Sequence, residues 1–217
     1  MGGLLLTLEG IEGSGKTTQA HRIKALLDSR GIPAILTREP GGSPLAERIR
    51  EMLLVPGEEA VAPQTELLLF LAARAQHVRR VIAPALERGD VVVCDRFTDA
   101  TLAYQGGGRT MQDDFLRSLN DWATGAVCPS RTYLLDVPVE VGMARARDRR
   151  AREAPDRIEA EGKGFFEGVR TRYLDLARRE PERIVVLRGT DPEEDILHQI
   201  EQDLNSLLRG RKTPSPR

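Results

Sequence analysis

Residues Gly10-Ile11-Glu12-Gly13-Ser14-Gly15-Lys16-Thr17 carry the spacing G-x-x-x-x-G-K-[ST]. Such a run is a phosphate cradle when a strand precedes it and a helix follows. Its glycines let backbone N–H groups turn inward around phosphate oxygens with no side chain in the way. The helix opening at Lys16 aims the positive end of its dipole at the same anions. Lys16 is then placed to reach the β- and γ-phosphates of a nucleoside triphosphate, and the Thr17 hydroxyl to ligate magnesium, with Thr18 next in the turn. A cradle alone fits kinases, switches and DNA-processing ATPases equally, so other residues must decide between them.

Four more segments hold groups suited to anions or bases. They are Thr37-Arg38-Glu39-Pro40-Gly41-Gly42, Asp95-Arg96, Ala103-Tyr104-Gln105-Gly106-Gly107-Gly108-Arg109, and the arginine-rich run from Arg145 through Arg147, Arg149, Arg150 and Arg152 to Asp156-Arg157. A guanidinium is a planar fork that matches phosphate or a base edge, and an aromatic face suits a base. Each residue also has a plainer reading. Arg38 beside Glu39 reads as a surface ion pair, Asp95 as a strand-end cap, and Arg74 as a solvated helix charge. Phe70, within Leu67-Leu68-Leu69-Phe70-Leu71-Ala72-Ala73, reads by itself as core.

The elements that must position these groups show as short apolar runs between longer helical segments. Leu4–Leu8, Ala34–Thr37, Val91–Cys94, Thr132–Leu135 and Ile184–Leu187 read as buried strands. Helices are expected over Thr17–Ser29, within Pro63–Arg88 (one or two), and over Phe115–Trp122, Val139–Arg150, Phe165–Arg179 and Pro192–Leu208. The alternation implies an α/β fold, a three-layer doubly wound parallel sheet, with ligands beyond the carboxyl ends of the strands. A single domain is expected over 1–209, with a flexible polar tail at 210–217.

Taken together, these segments resemble the thymidylate kinase family of P-loop nucleoside monophosphate kinases over nearly the whole chain. The similarity runs through Leu8-Glu9-Gly10, Thr37–Gly42, Phe70-Leu71-Ala72-Ala73-Arg74, Asp95-Arg96, Ala103–Gly108 and Asp156-Arg157-Ile158-Glu159. It implies the reaction dTMP plus ATP giving dTDP plus ADP with magnesium, and a homodimer. It also implies that Phe70 stacks on thymine, that Arg74 donates to the base carbonyl, and that Thr101 sits at the base edge. Arg38 and Arg96 would bind the dTMP phosphate. Tyr104 would lie near the sugar where a 2′-hydroxyl would clash, with Gln105 close by. Glu12 would face the sugar and the magnesium, and Asp95 would help Thr17 hold the metal. One departure is Ala100, where members of the family usually carry serine.

An acceptor phosphate has a second pKa of about 6 and is largely a dianion at neutral pH, so no general base is required. Catalysis is then positioning and charge stabilisation by magnesium, Lys16 and arginines. Members of the family place an additional cation either in this loop or in a lid segment, here at about 145–157; residues 11–14 contain no basic side chain, so the resemblance implies a lid arginine, Arg152 or next Arg149.

Composition sets limits. Basic and acidic residues number 32 and 33, for a net charge of -1, without the basic footprint of a nucleic-acid binder. Cys94 and Cys128 form no CxxC pair, and the histidines 21, 77 and 198 are scattered, so no zinc site is expected. The opening Met1-Gly2-Gly3-Leu4 lacks a basic n-region, and no apolar stretch reaches membrane-spanning length, which favours a cytoplasmic enzyme. A kinase for another (deoxy)nucleoside monophosphate, a nucleotide-dependent switch and a DNA-dependent ATPase are the competing readings. No Asn/Thr-Lys-x-Asp guanine motif supports the switch.

Overall fold

The computed structural model describes residues 2–150 and 156–210, with the backbone alone at 149, 150 and 210. Five parallel strands, β1 (Leu4–Glu9), β2 (Ala34–Arg38), β3 (Val91–Asp95), β4 (Arg131–Asp136) and β5 (Ile184–Arg188), form one sheet in the order β2-β3-β1-β4-β5. All five expected strands are present, each extended by a residue or two. The inner strands β1, β3 and β4 are buried along both faces because both are covered, whereas the edge strands β2 and β5 are partly open, with Val186 exposed. Leu6, Leu8, Val91, Val93, Tyr133 and Leu135 point to one core, with α1 (Lys16–Ser29) and α9 (Glu193–Gly210). Leu5, Val92 and Cys94 point to the opposite face, where burial pushes the Cys94 thiol pKa well up. That face carries α3 (Pro63–His77), α6 (Asp113–Thr124) and α8 (Lys163–Arg179).

The expected Pro63–Arg88 helix is one continuous path in three parts: α3, a π turn at Val78–Ile82, and α4 (Ala83–Glu87). Pro84 explains the break in register. It has no N–H and its ring crowds the preceding turn, and the wider π step, Ala83 N–H to Val78 O, accommodates it.

Three helical segments lie where no element was expected, one of them a single 3₁₀ turn at Ile158–Ala160. α2 (Pro44–Leu54) starts at Ser43, whose hydroxyl accepts from the Ala46 N–H at 3.4 Å, with Pro44 at the first position. The short α5 (Thr98–Thr101) continues as a π turn over Leu102–Gly108. The Tyr104–Gly108 segment is therefore helical rather than a loop. Its glycines serve close packing: a Cβ on Gly107 would stand 2.6 Å from the Gly168 carbonyl of α8, and one on Gly108 would stand 2.4 Å from the Phe165 ring. α7 (Val139–Arg150) matches its expected bounds.

Register fixes what the site receives. Arg38 pairs with Asp95, and Asp95 with Leu8, so Glu9, Arg38 and Asp95 arrive together at the carboxyl edge beside the β1–α1 loop.

Candidate active site

The cradle is built from backbone. Gly10, Gly13 and Gly15 have φ of 139°, 69° and 96°, in the left-handed region where a Cβ is strained. Space also demands Gly13, since a Cβ there would stand 2.2 Å from the carbonyl of Gly142 on α7. α1 begins with no side-chain cap and no acidic residue in its first turn, which leaves its leading N–H groups to an anion. Lys16 curls over the loop, donating to Ile11 O at 2.8 Å and Ser14 Oγ at 3.3 Å. Burial, helped by the charge of Arg96, lowers its ammonium pKa to about 8. Thr17 donates to Asp95 Oδ2 at 2.5 Å.

This pair meets what magnesium asks of a protein. Mg²⁺ takes hard oxygen ligands and completes its octahedron with waters and substrate phosphates, so one hydroxyl and one carboxylate suffice.

Next to the cradle, Arg96 has a left-handed φ of 71°, a strained conformation for a non-glycine residue at a strand end. It donates to Gly10 O at 2.9 Å and Glu12 Oε1 at 2.8 Å, and its guanidinium lies 4.9 Å from the Tyr104 ring centroid. The Tyr104 hydroxyl stands 2.8 and 2.7 Å from the two Glu12 oxygens. Beneath them Glu9, with no exposure, accepts from Phe97 N–H at 2.7 Å and Tyr173 OH at 2.6 Å. Burial, and then the nearby Asp99 charge, raise the Glu9 pKa from 4.5 to about 7.

The other half of the site is a lattice of buried charges. Arg74, 2% exposed, donates to Glu39 at 2.7 Å, Thr101 Oγ1 at 2.6 Å, Asn120 Oδ1 at 2.6 Å and Phe97 O at 2.9 Å. Glu39 also accepts from His77 Nδ1 at 3.0 Å, and Thr37 Oγ1 lies 2.7 Å from His77 Nε2. Burial alone would raise the Glu39 carboxyl, but Arg74 and His77 outweigh it and hold it below its usual range. Gly42 is required here, because a Cβ would stand 2.3 Å from His77 Nε2. The ion pair anticipated between Arg38 and Glu39 is not formed. Glu39 turns inward, and the exposed Arg38 pairs with Glu47 of α2 at 3.1 Å.

A second buried carboxylate, Glu66 of α3, gathers Gln105 Nε2 at 3.0 Å, Arg109 Nη2 at 3.1 Å and Arg157 Nη2 at 2.8 Å. Arg157 is thereby committed to α3. Its Nε donates to Leu53 O of α2 at 3.0 Å.

The structure thus assembles Lys16, Thr17, Asp95, Glu12, Arg96 and Tyr104 around the cradle, and Arg74, Thr101 and Gln105 beside α3. Phe70 is half-buried and packs against the core near Leu67 and Leu71. Ala100 also packs there, in apolar company. Arg145 donates to Gly189 O at 2.9 Å and Gly13 O at 3.4 Å, so it ties α7 to the cradle rather than forming a solvated end. Arg152 lies outside the described residues, as does the side chain of Arg149. Beside Glu12 is a cavity of about 120 Å³ lined by Ile11, Met143, Ala146, Glu159 and Phe166.

Glu9, Glu39, Glu66, His77 and Asn120 have no assigned role in the sequence reading, yet they hold the site together. One signal was available: Glu66, Phe70 and Arg74 recur at intervals of four and share a helix face.

Known proteins resemble this arrangement throughout. The sequence profile of the thymidylate kinase family matches residues 8–200. The thymidylate kinase of Pseudomonas putida (strain GB-1) is 50% identical over 210 residues, covering 97% of each chain. That of Pseudomonas fluorescens (strain SBW25) is 52% identical over 208 residues, covering 96% of each. The crystal structure of thymidylate kinase from Ehrlichia chaffeensis superposes with a TM-score of 0.74 at 32% identity, covering 94% of this chain and 99% of the other.

Proposed function

The chain belongs to the thymidylate kinase family, and from that premise we propose how its residues divide the phosphorylation of dTMP to dTDP by ATP. One observation carries the assignment: the cradle and the Glu39–Arg74–Thr101 lattice meet at Asp95-Arg96-Phe97, where Thr17 donates to Asp95, Arg96 donates to Gly10 O and Arg74 donates to Phe97 O. An oxygen of the dTMP phosphate attacks the γ-phosphorus. A new P–O bond forms, the bond to the β,γ-bridging oxygen breaks, and ADP departs with those electrons. No proton moves, because the acceptor is already a dianion.

Gly10 to Thr18 bind the ATP phosphates, and Lys16 offsets charge on the group in transfer. Thr17 and Asp95 would hold magnesium, which would supply charge neutralisation when bound. Arg38 and Arg96 take the dTMP phosphate; each has a carboxylate partner to exchange for it, Glu47 and Glu12. Phe70 receives the base, with Arg74, Thr101 and Gln105 at its edges and Tyr104 and Glu12 toward the sugar. The lid segment at about 145–157 supplies the additional cation through Arg152 or Arg149. In support, α7, which leads into it, is seated on the cradle through Gly142 and Arg145. We assign 1–209 to one kinase domain and 210–217 to a tail.

Two further assignments belong here. A cytoplasmic location fits the substrates, and among the described residues no helix is long and apolar enough to cross a membrane. A homodimer fits the exposed apolar side chains on α2, α3 and α6, which pack side by side: Met52 and Leu68 at 63%, Phe115 at 55% and Trp122 at 81% exposure. Sedimentation at micromolar concentration should show twice 24.0 kDa, and a 24.0 kDa species would refute it.

The deciding assay is kcat/KM with ATP for dTMP, dUMP, UMP, dCMP and AMP. dTMP should be the best acceptor; a better one among the others would overturn the assignment.

A further inference from the structure

The face of α3 that carries Phe70 has a charged residue one interval away on either side. Glu66, Phe70 and Arg74 are spaced at i, i+4 and i+8, so they share a stripe, with the two charges about 12 Å apart along the axis at 1.5 Å per residue. Facing them are Thr101 and Gln105, also four apart. Two rungs therefore join the helices, Arg74 to Thr101 at 2.6 Å and Glu66 to Gln105 at 3.0 Å, with Phe70 between them.

The rungs differ chemically. Arg74 only donates, and an ionised carboxylate only accepts. Glu66 is kept ionised: burial alone would raise its pKa, but hydrogen bonds from Arg109 and Arg157 outweigh that and lower it. Its Oε1 receives Gln105 Nε2 and Arg109 Nε, and its Oε2 receives Arg109 Nη2 and Arg157 Nη2. An amide has two ends. With Glu66 accepting only, the NH₂ end of Gln105 must face it, and the carbonyl oxygen must face away. Among the described residues that oxygen receives no hydrogen bond.

We propose that Glu66 is a positioning residue for base selection, which locks the Gln105 amide so that its carbonyl, and not its NH₂, is presented beside Phe70. The inference rests on the placement of the base at Phe70 given under Proposed function. A base between these rungs must show an acceptor toward Arg74 and a donor toward Gln105. A pyrimidine with a 4-carbonyl and an N3–H satisfies both, as thymine and uracil do. Cytosine offends both, having an amino group at C4 and an acceptor at N3. Glu66 never touches the base; it prevents the rotation of Gln105 that would admit cytosine.

The test is the ratio of kcat/KM for dTMP to that for dCMP in wild type and in Glu66→Gln. The amide introduced by that substitution can offer either of its ends, so Gln105 is freed to rotate. The ratio should fall about tenfold, the worth of one mismatched buried hydrogen bond. The loss should lie in KM for the monophosphate, with KM for ATP unmoved. A merely structural role would lower both acceptors' rates together and leave the ratio alone. Because Glu66→Gln strips a partner from two arginines, the double variant Glu66→Gln/Arg157→Gln carries the same test without a stranded charge should the single variant not fold. A ratio unchanged in whichever variant folds would overturn the proposal. Wild type preferring another acceptor to dTMP would instead overturn the placement it rests on.

Discussion

The two halves of the site are made of different material. On the donor side, contiguous backbone does the holding: left-handed glycines, a bare helix start, and a lysine bound to one carbonyl and one hydroxyl. On the acceptor side, side chains from β2, α3, α5, α6 and the π turn hold one another through Glu39, Arg74, Asn120 and Glu66. The difference teaches where function and stability coincide. In the proposed division of labour a cradle residue works on the phosphates and carries little of the fold. A lattice residue does both, because removing one member strands a buried charge.

Replacement of Lys16 is the strongest test of that contrast. Lys16→Ala should lower kcat roughly a thousandfold, in line with losing a positioned charge at a developing phosphoryl. Thermal unfolding should shift little, since only two loop contacts disappear. Retained turnover would remove Gly10–Thr17 as the donor site, and a collapse in stability would erase the distinction between the halves.

Glu39→Ala should behave in the opposite way. It leaves Arg74 buried without its carboxylate, which costs about 3 kcal/mol when a buried pair is broken. Chemical denaturation reads this directly, and activity should decline with it because Arg74 loses its anchor. An unaffected unfolding midpoint would show that Asn120, Phe97 O and Thr101 suffice to hold Arg74.

The last test lies at the seam, in Glu9. Its pKa in the folded chain is about 7 against an ordinary 4.5, so between those values the folded form holds a proton that the unfolded form releases. Stability attributable to Glu9 therefore falls as pH rises from about 4.5 through about 7, and the penalty is complete above that. Glu9→Gln does not titrate, so it should gain on wild type steadily as denaturation is repeated from about pH 5 to about pH 8. Parallel profiles would mean that Glu9 ionises in the fold at its ordinary pKa.

Some of this was legible before any coordinates. The cradle is local: its glycines, lysine and threonine are consecutive, and the strand and helix that frame it have distinct periods, so Gly10 to Thr17 reads directly. The five strands were equally readable, because a parallel sheet covered on both faces leaves continuous apolar runs. α2 was not, although Ser43-Pro44 marks its start, because Gly41-Gly42 and Pro40 immediately before it read as loop. Nor was the π turn at 102–108, since three glycines seldom signal helix. Their purpose appears only when Gly168 is brought opposite Gly107.

The chain by itself determined the phosphate cradle, the sheet and the class of fold, because each is encoded over a few adjacent residues by backbone freedom and hydrophobic period. Which carboxylate serves which arginine was decided by the tertiary structure alone. In sequence Glu39 stands next to Arg38, yet it serves Arg74, 35 residues away, and Glu66 meets Arg157 across 91. Charge is not periodic, and an arginine has no preference among carboxylates until burial removes water as the alternative partner. Only the packed strands and helices choose which charges are enclosed together, and so which of them become the site.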